Sequence, residues 1–243
     1  MPKRNLLLIG SSSALGIEYI KIYGLNYEKI ICHYRSNNND LNKIMEGNKT
    51  KYIPIKADLN QKQYLDQLIY FLQNLTIDLH EVVFLAAPRN NINRFTKIKW
   101  ENEFIDNLNI QLGSSIKILQ TILPKMVKLK SGKILFILSS VTHNKPPKGM
   151  SDYIISKYAV LGLMKSLAAE YAGFGLSINS ISPSMLDTDF LENIPTMVKE
   201  MEASNHPKGR IGDPSDILPA MEFLLSEKSN FITGQNILIN GEG

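Results

Sequence analysis

Cysteine is nearly absent from this chain: Cys32 stands alone, so no disulfide can form within it and a reducing compartment is its natural setting. Cys32 lies in an apolar run and reads as a packing residue. Long hydrophobic runs are missing too. The one nearest the start, Leu6 to Ile9, is too short for a signal-peptide core or a membrane span, so a soluble, cytoplasmic protein with no membrane partner is expected. Massed charge of one sign is also absent. The 27 Lys and Arg against 23 Asp and Glu give a net charge of +4, but they are scattered, which argues against a nucleic-acid partner. A local basic spot beside a ligand phosphate remains compatible with this balance. No metal-binding cluster, internal repeat or Pro/Gly/Ser-rich linker interrupts the 243 residues, and 44% of them are hydrophobic, so one domain over 1–243 is expected.

What is present is an alternation of short apolar runs with longer segments of helical periodicity, the pattern of repeated βαβ units. Strands are expected at Asn5 to Ile9, Lys29 to His33, Tyr52 to Lys56, Glu81 to Ala86, Lys133 to Leu138, Ser177 to Ser182 and Asn236 to Ile239. Helices are expected at Leu15 to Tyr23, Gln61 to Leu75, Trp100 to Val127, Ser151 to Ala172 and Pro214 to Leu225, the third long enough to bend. The result is an α/β fold: a doubly wound, mainly parallel sheet of seven strands with helices on both faces. Ligands then bind at the carboxyl ends of the strands. The Asn-rich patch Ser36 to Asn42 reads as a polar loop. The least regular stretch, Ser184 to Gly212 with Pro195 and Pro207, reads as a mobile substrate flap.

The first strand runs into Gly10-Ser11-Ser12-Ser13-Ala14-Leu15-Gly16. Small residues at 10, 14 and 16 let the backbone approach a pyrophosphate, and free N–H groups of Ser12, Ser13, Ala14 and Leu15 at a helix N-terminus would hold its charge. Taken alone, the turn fits an ordinary strand-to-helix connection equally well; its place after the first strand gives it weight. After the second strand comes Tyr34-Arg35-Ser36, where an arginine suits a ribose 2′-phosphate and an acid would suit a ribose diol, so NADP(H) is expected over NAD(H). The alternative is a solvent-exposed loop arginine. Asp58, followed by Leu59, offers an acceptor to an adenine edge; otherwise it caps the helix beginning near Gln61.

Tyr153 and Lys157 are four residues apart in a helical segment, which places them on one face, one turn apart. A phenol with a pKa of about 10 is a poor acid or base near neutrality, and a neighbouring ammonium lowers that value. The alternative is a solvated helix face. Ser140, thirteen positions upstream at the end of the fifth strand, would hydrogen-bond a substrate oxygen, with Ser139 as its rival and a strand-end turn as the bland reading of both. Asn107, inside the long helix, would orient a water in a proton relay unless it is a surface asparagine.

Together these residues resemble the short-chain dehydrogenase/reductase family, especially its 3-oxoacyl-acyl-carrier-protein reductase branch, over essentially the whole chain. The resemblance matches the family's glycine turn to Gly10, Ala14 and Gly16, and its catalytic asparagine, serine, tyrosine and lysine to Asn107, Ser140, Tyr153 and Lys157, with Asn107 seven places after Trp100. It also places Pro183 and Thr188 beside the nicotinamide, and matches Gly209 to Gly212 and Phe231 to Gly241 to the family's closing segments. Departures are Ile9 for a threonine, Ala14 for a glycine, Ser184 for a glycine, and Leu85-Ala86-Ala87-Pro88 where the family has Asn-Asn-Ala-Gly, which puts Ala86 and Ala87 beside the cofactor.

The implied protein is a Rossmann-type NADPH-dependent carbonyl reductase or secondary alcohol dehydrogenase, acting on a small carbonyl or alcohol, with a β-ketoacyl group, carrier-linked or free, as the first choice. Alternatives are an oxidoreductase on a sugar-like or other small polar alcohol, and a non-catalytic NADP-binding sensor or scaffold. The family's habit implies a homotetramer or dimer through Trp100 to Val127 and Ser151 to Ala172.

Overall fold

Along β1 (Arg4–Ile9), Leu7 and Ile9 face one side of the sheet and Leu6 and Leu8 the other, and all four are buried, so both faces need a cover of helices. The structure, a computed structural model, describes residues 4–89 and 91–242. The other strands are β2 (Tyr27–Tyr34), β3 (Tyr52–Lys56), β4 (Glu81–Phe84), β5 (Gly132–Ile137), β6 (Leu176–Pro183) and β7 (Asn236–Ile239). They form one seven-stranded sheet in the order β3-β2-β1-β4-β5-β6-β7, parallel throughout. The expected strands are all there. β4 ends two residues before the expected Ala86: Leu85 N–H still reaches Ile9 O at 2.8 Å, but β1 stops there and its chain turns away at Gly10.

The helices are α1 (Ala14–Tyr23), α2 (Asn39–Gly47), α3 (Lys62–Gln73), α4 (Ile105–Leu108), α5 (Ser114–Leu129), α6 (Ser151–Tyr171), α7 (Thr196–Asn205) and α8 (Leu218–Leu225). One face of the sheet is covered by Leu65, Leu68 and Leu72 of α3, Ile118, Ile122 and Met126 of α5, and Val160, Met164 and Ala168 of α6, each set at helical spacing. The opposite face is covered by α1 and α8, with Leu41 of α2 at its margin.

Two segments differ from expectation. The Asn-rich patch is a helix start, not a loop: Asn38 Oδ1 accepts from Asp40 N at 2.9 Å and Leu41 N at 3.2 Å, and Leu41, Ile44 and Met45 then turn a helical apolar face inward. Within the expected flap, Thr196–Asn205 forms α7, none of whose residues is buried. The long third helix is continuous to Leu129 but not uniform. π-helical turns at Trp100–Phe104 and Asn109–Gly113 bracket α4.

The amino ends of the strands are sealed by a buried polar cluster. Arg4 Nε pairs with Glu81, whose other oxygen accepts from Tyr27 at 2.5 Å, while Tyr19 donates to Glu222 at 2.7 Å. Removing one member of such a pair strands the other charge. Glu81→Ala should therefore lower stability in urea by about 3 to 5 kcal/mol, whereas Lys62→Ala, breaking the exposed Lys62–Asp66 pair, should cost under about 1 kcal/mol.

Candidate active site

At the open, carboxyl end of the sheet the chain leaves β1 through Gly10, which has φ +90° and lies so close to β4's extension that a Cβ would sit 2.9 Å from Ala86 N. Gly16 is equally constrained, since its Cβ would meet Ser11 O at 2.8 Å. Ser13 caps α1 by accepting from Gly16 N at 3.1 Å, and its hydroxyl donates to Gly10 O at 2.8 Å. The backbone N–H groups of Ser12, Ala14 and Leu15 have no acceptor among the described residues. A cradle of small residues with unspent donors at a helix N-terminus fits a pyrophosphate. The residues present therefore suit a dinucleotide.

One buried imidazole ties this turn to its neighbours, and sequence reading passed over it. Gly10 N and Ser11 N both reach His33 O, at 3.1 and 2.8 Å, and Gly10 N also lies 3.2 Å from His33 Nδ1. Since Nδ1 accepts, Nε2 carries the proton and donates to Ala57 O at 3.1 Å, at the end of β3. Burial pushes the His33 pKa down to about 4. The only hint in sequence was a histidine closing an otherwise apolar strand.

Beyond His33, Tyr34 is half-buried, and Arg35 and Ser36 are exposed; Arg35 has no ion-pair partner among the described residues. Asn38, the cap of α2, donates to Ser12 O at 3.4 Å and so joins this loop to the glycine turn. Asp58 does not cap α3, whose N-cap is Gln61; it accepts from Asn60 N at 3.0 Å and shapes the turn after β3, with Leu59 buried beside it.

On the other side of the crevice, Lys157 is buried and donates to Ile137 O, the last residue of β5, at 2.9 Å. Its Nζ is 5.5 Å from the centroid of the Tyr153 ring, one helical turn earlier. Burial brings the Lys157 pKa down to about 7. Three residues after Ile137 comes Ser140, whose hydroxyl has no partner among the described residues, while Ser139 Oγ accepts from Val141 N at 3.4 Å. Ser139 thus serves the turn, and Ser140 is the serine with a hydroxyl to spare.

Asn107 is buried, so the surface-residue alternative fails, but its side chain is directed toward the start of α6. It donates to Asp152 at 2.8 Å and to Glu103 O at 3.3 Å, and it accepts from Gln111 Nε2 at 3.2 Å. The small cavity behind Lys157 is walled instead by Gln111, Ser114, Ser115, Ala86 and Phe136. Gln111 was missed in the sequence. The signal available was a polar stripe, Gln111 with Ser114 and Ser115, at helical spacing in an otherwise apolar segment.

The flap closes over this crevice. The Phe190 ring lies 6.2 Å from that of Tyr153, Arg89 pairs with Glu192, and Asn193 donates to Asn91 at 3.1 Å. Pro183 ends β6; Thr188, half-buried, donates to Leu186 O at 3.5 Å, and Leu186 bridges to Gly212. Ala87 is half-buried beside Ala86.

What this fold defines is a class, the Rossmann-type oxidoreductases, in which a parallel sheet offers a nucleotide the crevice where its strand order reverses. A sequence model of the family described as enoyl-(acyl carrier protein) reductase matches residues 27–241. The chain belongs to the short-chain dehydrogenase/reductase family. It is 29% identical to the 3-oxoacyl-[acyl-carrier-protein] reductase FabG of Buchnera aphidicola over 83% of this chain and 80% of that protein. Shorter alignments to proteins of the same name span as little as 54% of their length. A 3-oxoacyl (acyl-carrier-protein) reductase from Agrobacterium tumefaciens with NADP bound superposes with TM-score 0.86 at 25% identity, over 99% of this chain and 94% of that one. A 3-oxoacyl-[acyl-carrier protein] reductase from Brucella melitensis with bound NAD shares the fold at TM-score 0.84 and 21% identity, covering 99% and 91%.

His33 generates a pH prediction. Its folded pKa lies below the unfolded value near 6.5, so below that pH the unfolded chain takes up protons that the folded chain refuses. Stability should fall by up to about 3 kcal/mol as pH drops from 6.5 through 4. Denaturation midpoints measured between pH 7 and 5, where few carboxylates titrate, should show this slope in the wild type and lose it in His33→Gln.

Proposed function

We propose that this oxidoreductase reduces the ketone of a β-ketoacyl group carried on an acidic carrier protein, using NADPH. The observation that carries the reaction is the buried Lys157 ammonium held against the Tyr153 ring by the carbonyl of Ile137. A bound nicotinamide supplies the hydride. The chain does the rest: Tyr153 gives its proton to the carbonyl oxygen as the carbon is reduced, Ser140 donates a hydrogen bond to that oxygen, and Lys157 stabilises the phenolate left behind. Ketone, NADPH and one proton yield alcohol and NADP+.

For the cofactor, Gly10, Ser12, Ser13, Ala14, Leu15 and Gly16 would hold the pyrophosphate, and Tyr34, Arg35 and Ser36 the 2′-phosphate. Asp58 and Leu59 would flank the adenine, Ala86 and Ala87 the central crevice, and Pro183 and Thr188 the nicotinamide, with Tyr153 and Lys157 against its ribose. An arginine with no carboxylate partner among the described residues supports NADPH over NADH.

For the substrate, the two loops beside Tyr153 are basic. Residues 89–99 and 143–149 contain no Asp or Glu, and Asn93 N–H donates to Gly149 O at 2.8 Å, which joins the loops into one rim. Arg89 is paired with Glu192; Arg94, Lys97, Lys99, Lys145 and Lys148 have no ion-pair partner among the described residues. Exposed Ile92, Phe95, Met197 and Met201 give the same rim apolar surface. An acyl chain on an acidic carrier matches both properties, and a sugar matches neither. Exposed Ile155 and Tyr158 on α6 support self-association into a dimer or tetramer.

The first experiment follows NADPH absorbance with β-ketoacyl thioesters, free and carrier-linked, beside simple ketones and keto-sugars; consumption confined to keto-sugars, or none at all, would overturn this reading. Tyr153→Phe should lower kcat by about a hundredfold or more while NADPH binding persists. Reduction should weaken as pH rises through about 7, where Lys157 passes from ammonium to amine. Lys97→Glu with Lys148→Glu should raise KM for the carrier-linked substrate about tenfold and leave the free thioester unchanged.

A further inference from the structure

Ser140 opens a short turn just past β5, and its own hydroxyl does not anchor it, having no partner among the described residues. The turn is closed by Thr142, whose backbone N–H and hydroxyl both donate to Ser139 O, at 3.0 and 2.9 Å. The other contacts of the same hydroxyl lead away to the sheet. It accepts from Asn236 Nδ2 at 3.1 Å and lies 3.0 Å from Ser182 Oγ. Asn236 is 94 residues further along the chain, on β7 at the edge of the sheet. Strand geometry explains the meeting: Ser180 and Ser182 share the face of β6 that Ile178 turns toward α6, and Asn236 stands in register beside Ser180. Hydrogen counting then sets the direction of the bonds. Ser180 is buried and its hydroxyl reaches Asn236 at 2.9 Å, while Ser182, also buried, reaches the same amide atom at 2.8 Å. Two hydroxyl hydrogens on one end of an amide make that end the carbonyl, so Asn236 turns its nitrogen to Thr142. Receiving that hydrogen, Thr142 Oγ1 has its own to give to Ser139 O.

We infer that Asn236 and Thr142 are positioning residues for Ser140. The amide on β7 holds the threonine hydroxyl, the threonine holds the carbonyl of Ser139, and Ser140 is thereby kept at one place relative to Tyr153. The last strand of the fold thus sets the geometry of a group at the reaction centre through bonds that carry no charge and transfer no proton. The kinetic part rests on the reductase reading above; the tie between β7 and the turn does not.

Thr142→Val keeps the shape of the side chain and removes both of its bonds. Amide hydrogen exchange in the ligand-free protein should then quicken about tenfold or more at Thr142 and His143, whose N–H groups donate to Ser139 O and Ser140 O, and stay unchanged at Leu138, bonded to Ile181 O in the sheet. Asn236→Asp should do the same, because an oxygen in place of Nδ2 draws the Thr142 hydrogen away from Ser139 O. Unchanged exchange at Thr142 and His143 in either variant overturns the inference whatever the enzyme reduces. If the wild type reduces no carbonyl, the reductase reading fails and the exchange result still decides the tie. In kinetics, Thr142→Val should lower kcat about tenfold with KM for NADPH unmoved, and Thr142→Ser, which keeps the hydroxyl, should retain most of the rate. In a Ser140→Ala background the same Thr142→Val replacement should cost about twofold or less, since the group it positions is gone. An equal loss in both backgrounds would mean that the tie supports the fold at large, and would overturn the assignment to Ser140.

Discussion

The reacting half of the sheet's open end depends on holding one ammonium inside the protein. Lys157 is buried, and an isolated charge in such a place would be expelled or neutralised. Ile137 O, at the very end of β5, supplies a fixed dipole, and the Tyr153 ring supplies an electron-rich face at 5.5 Å. Neither returns the ammonium to its ordinary pKa, which is why it falls to about 7. A lysine balanced near neutrality is what proton traffic at physiological pH asks for. Because its anchor is a main-chain carbonyl of the central sheet, its position is as rigid as the core beneath it, where Phe84 and Phe136 stack at 4.8 Å.

The nucleotide side is held by a different device. Gly10 must turn within contact distance of Ala86, and the turn is kept in place by His33, which reaches from β2 to Ala57, just past the end of β3. This casts the Leu85-Ala86-Ala87-Pro88 departure in a different light. Asparagines there would add polar side chains where the structure has half-buried small and apolar ones, and part of the tethering of the crevice rests with an imidazole on the neighbouring strand. The uncharged state of His33 is required twice, once to accept from Gly10 and once to survive burial. Turn geometry and acid stability are therefore linked through one ring.

Much of this was legible in the chain. Short apolar runs located all the strands because both faces of a parallel sheet are buried, and the four-residue spacing of Tyr153 and Lys157 needs only an α-helix to align them. Legibility failed where local chemistry mimics something else. Asn38 and its neighbours have loop composition, yet asparagine is also a strong helix cap, and the buried Leu41 shows which use prevailed. The long helix failed in detail, not in existence. Nothing in the sequence signalled the π-helical turns at Trp100–Phe104 and Asn109–Gly113, and Gln111, inside the second of them, lines the wall beside Lys157. No count from sequence could anticipate the turns.

The two halves of the site are therefore built to different standards. The groups proposed to react stand just past β5 and on α6, where core packing fixes them; the proposed substrate rim consists of loops and of α7, which buries no residue. Such a division lets substrate choice vary without disturbing proton chemistry. It also has a cost, since the rim can hold its shape only through contacts such as Arg89–Glu192 and Asn91–Asn193, both of them at the surface. Surface pairs contribute little stability, so these latches open easily. In the proposed reading, selectivity comes from what the substrate itself adds when it docks: apolar area against Met197, Met201 and Phe190, and negative charge against lysines without an ion-pair partner among the described residues. A small neutral ketone brings neither, and a carrier-borne acyl chain brings both.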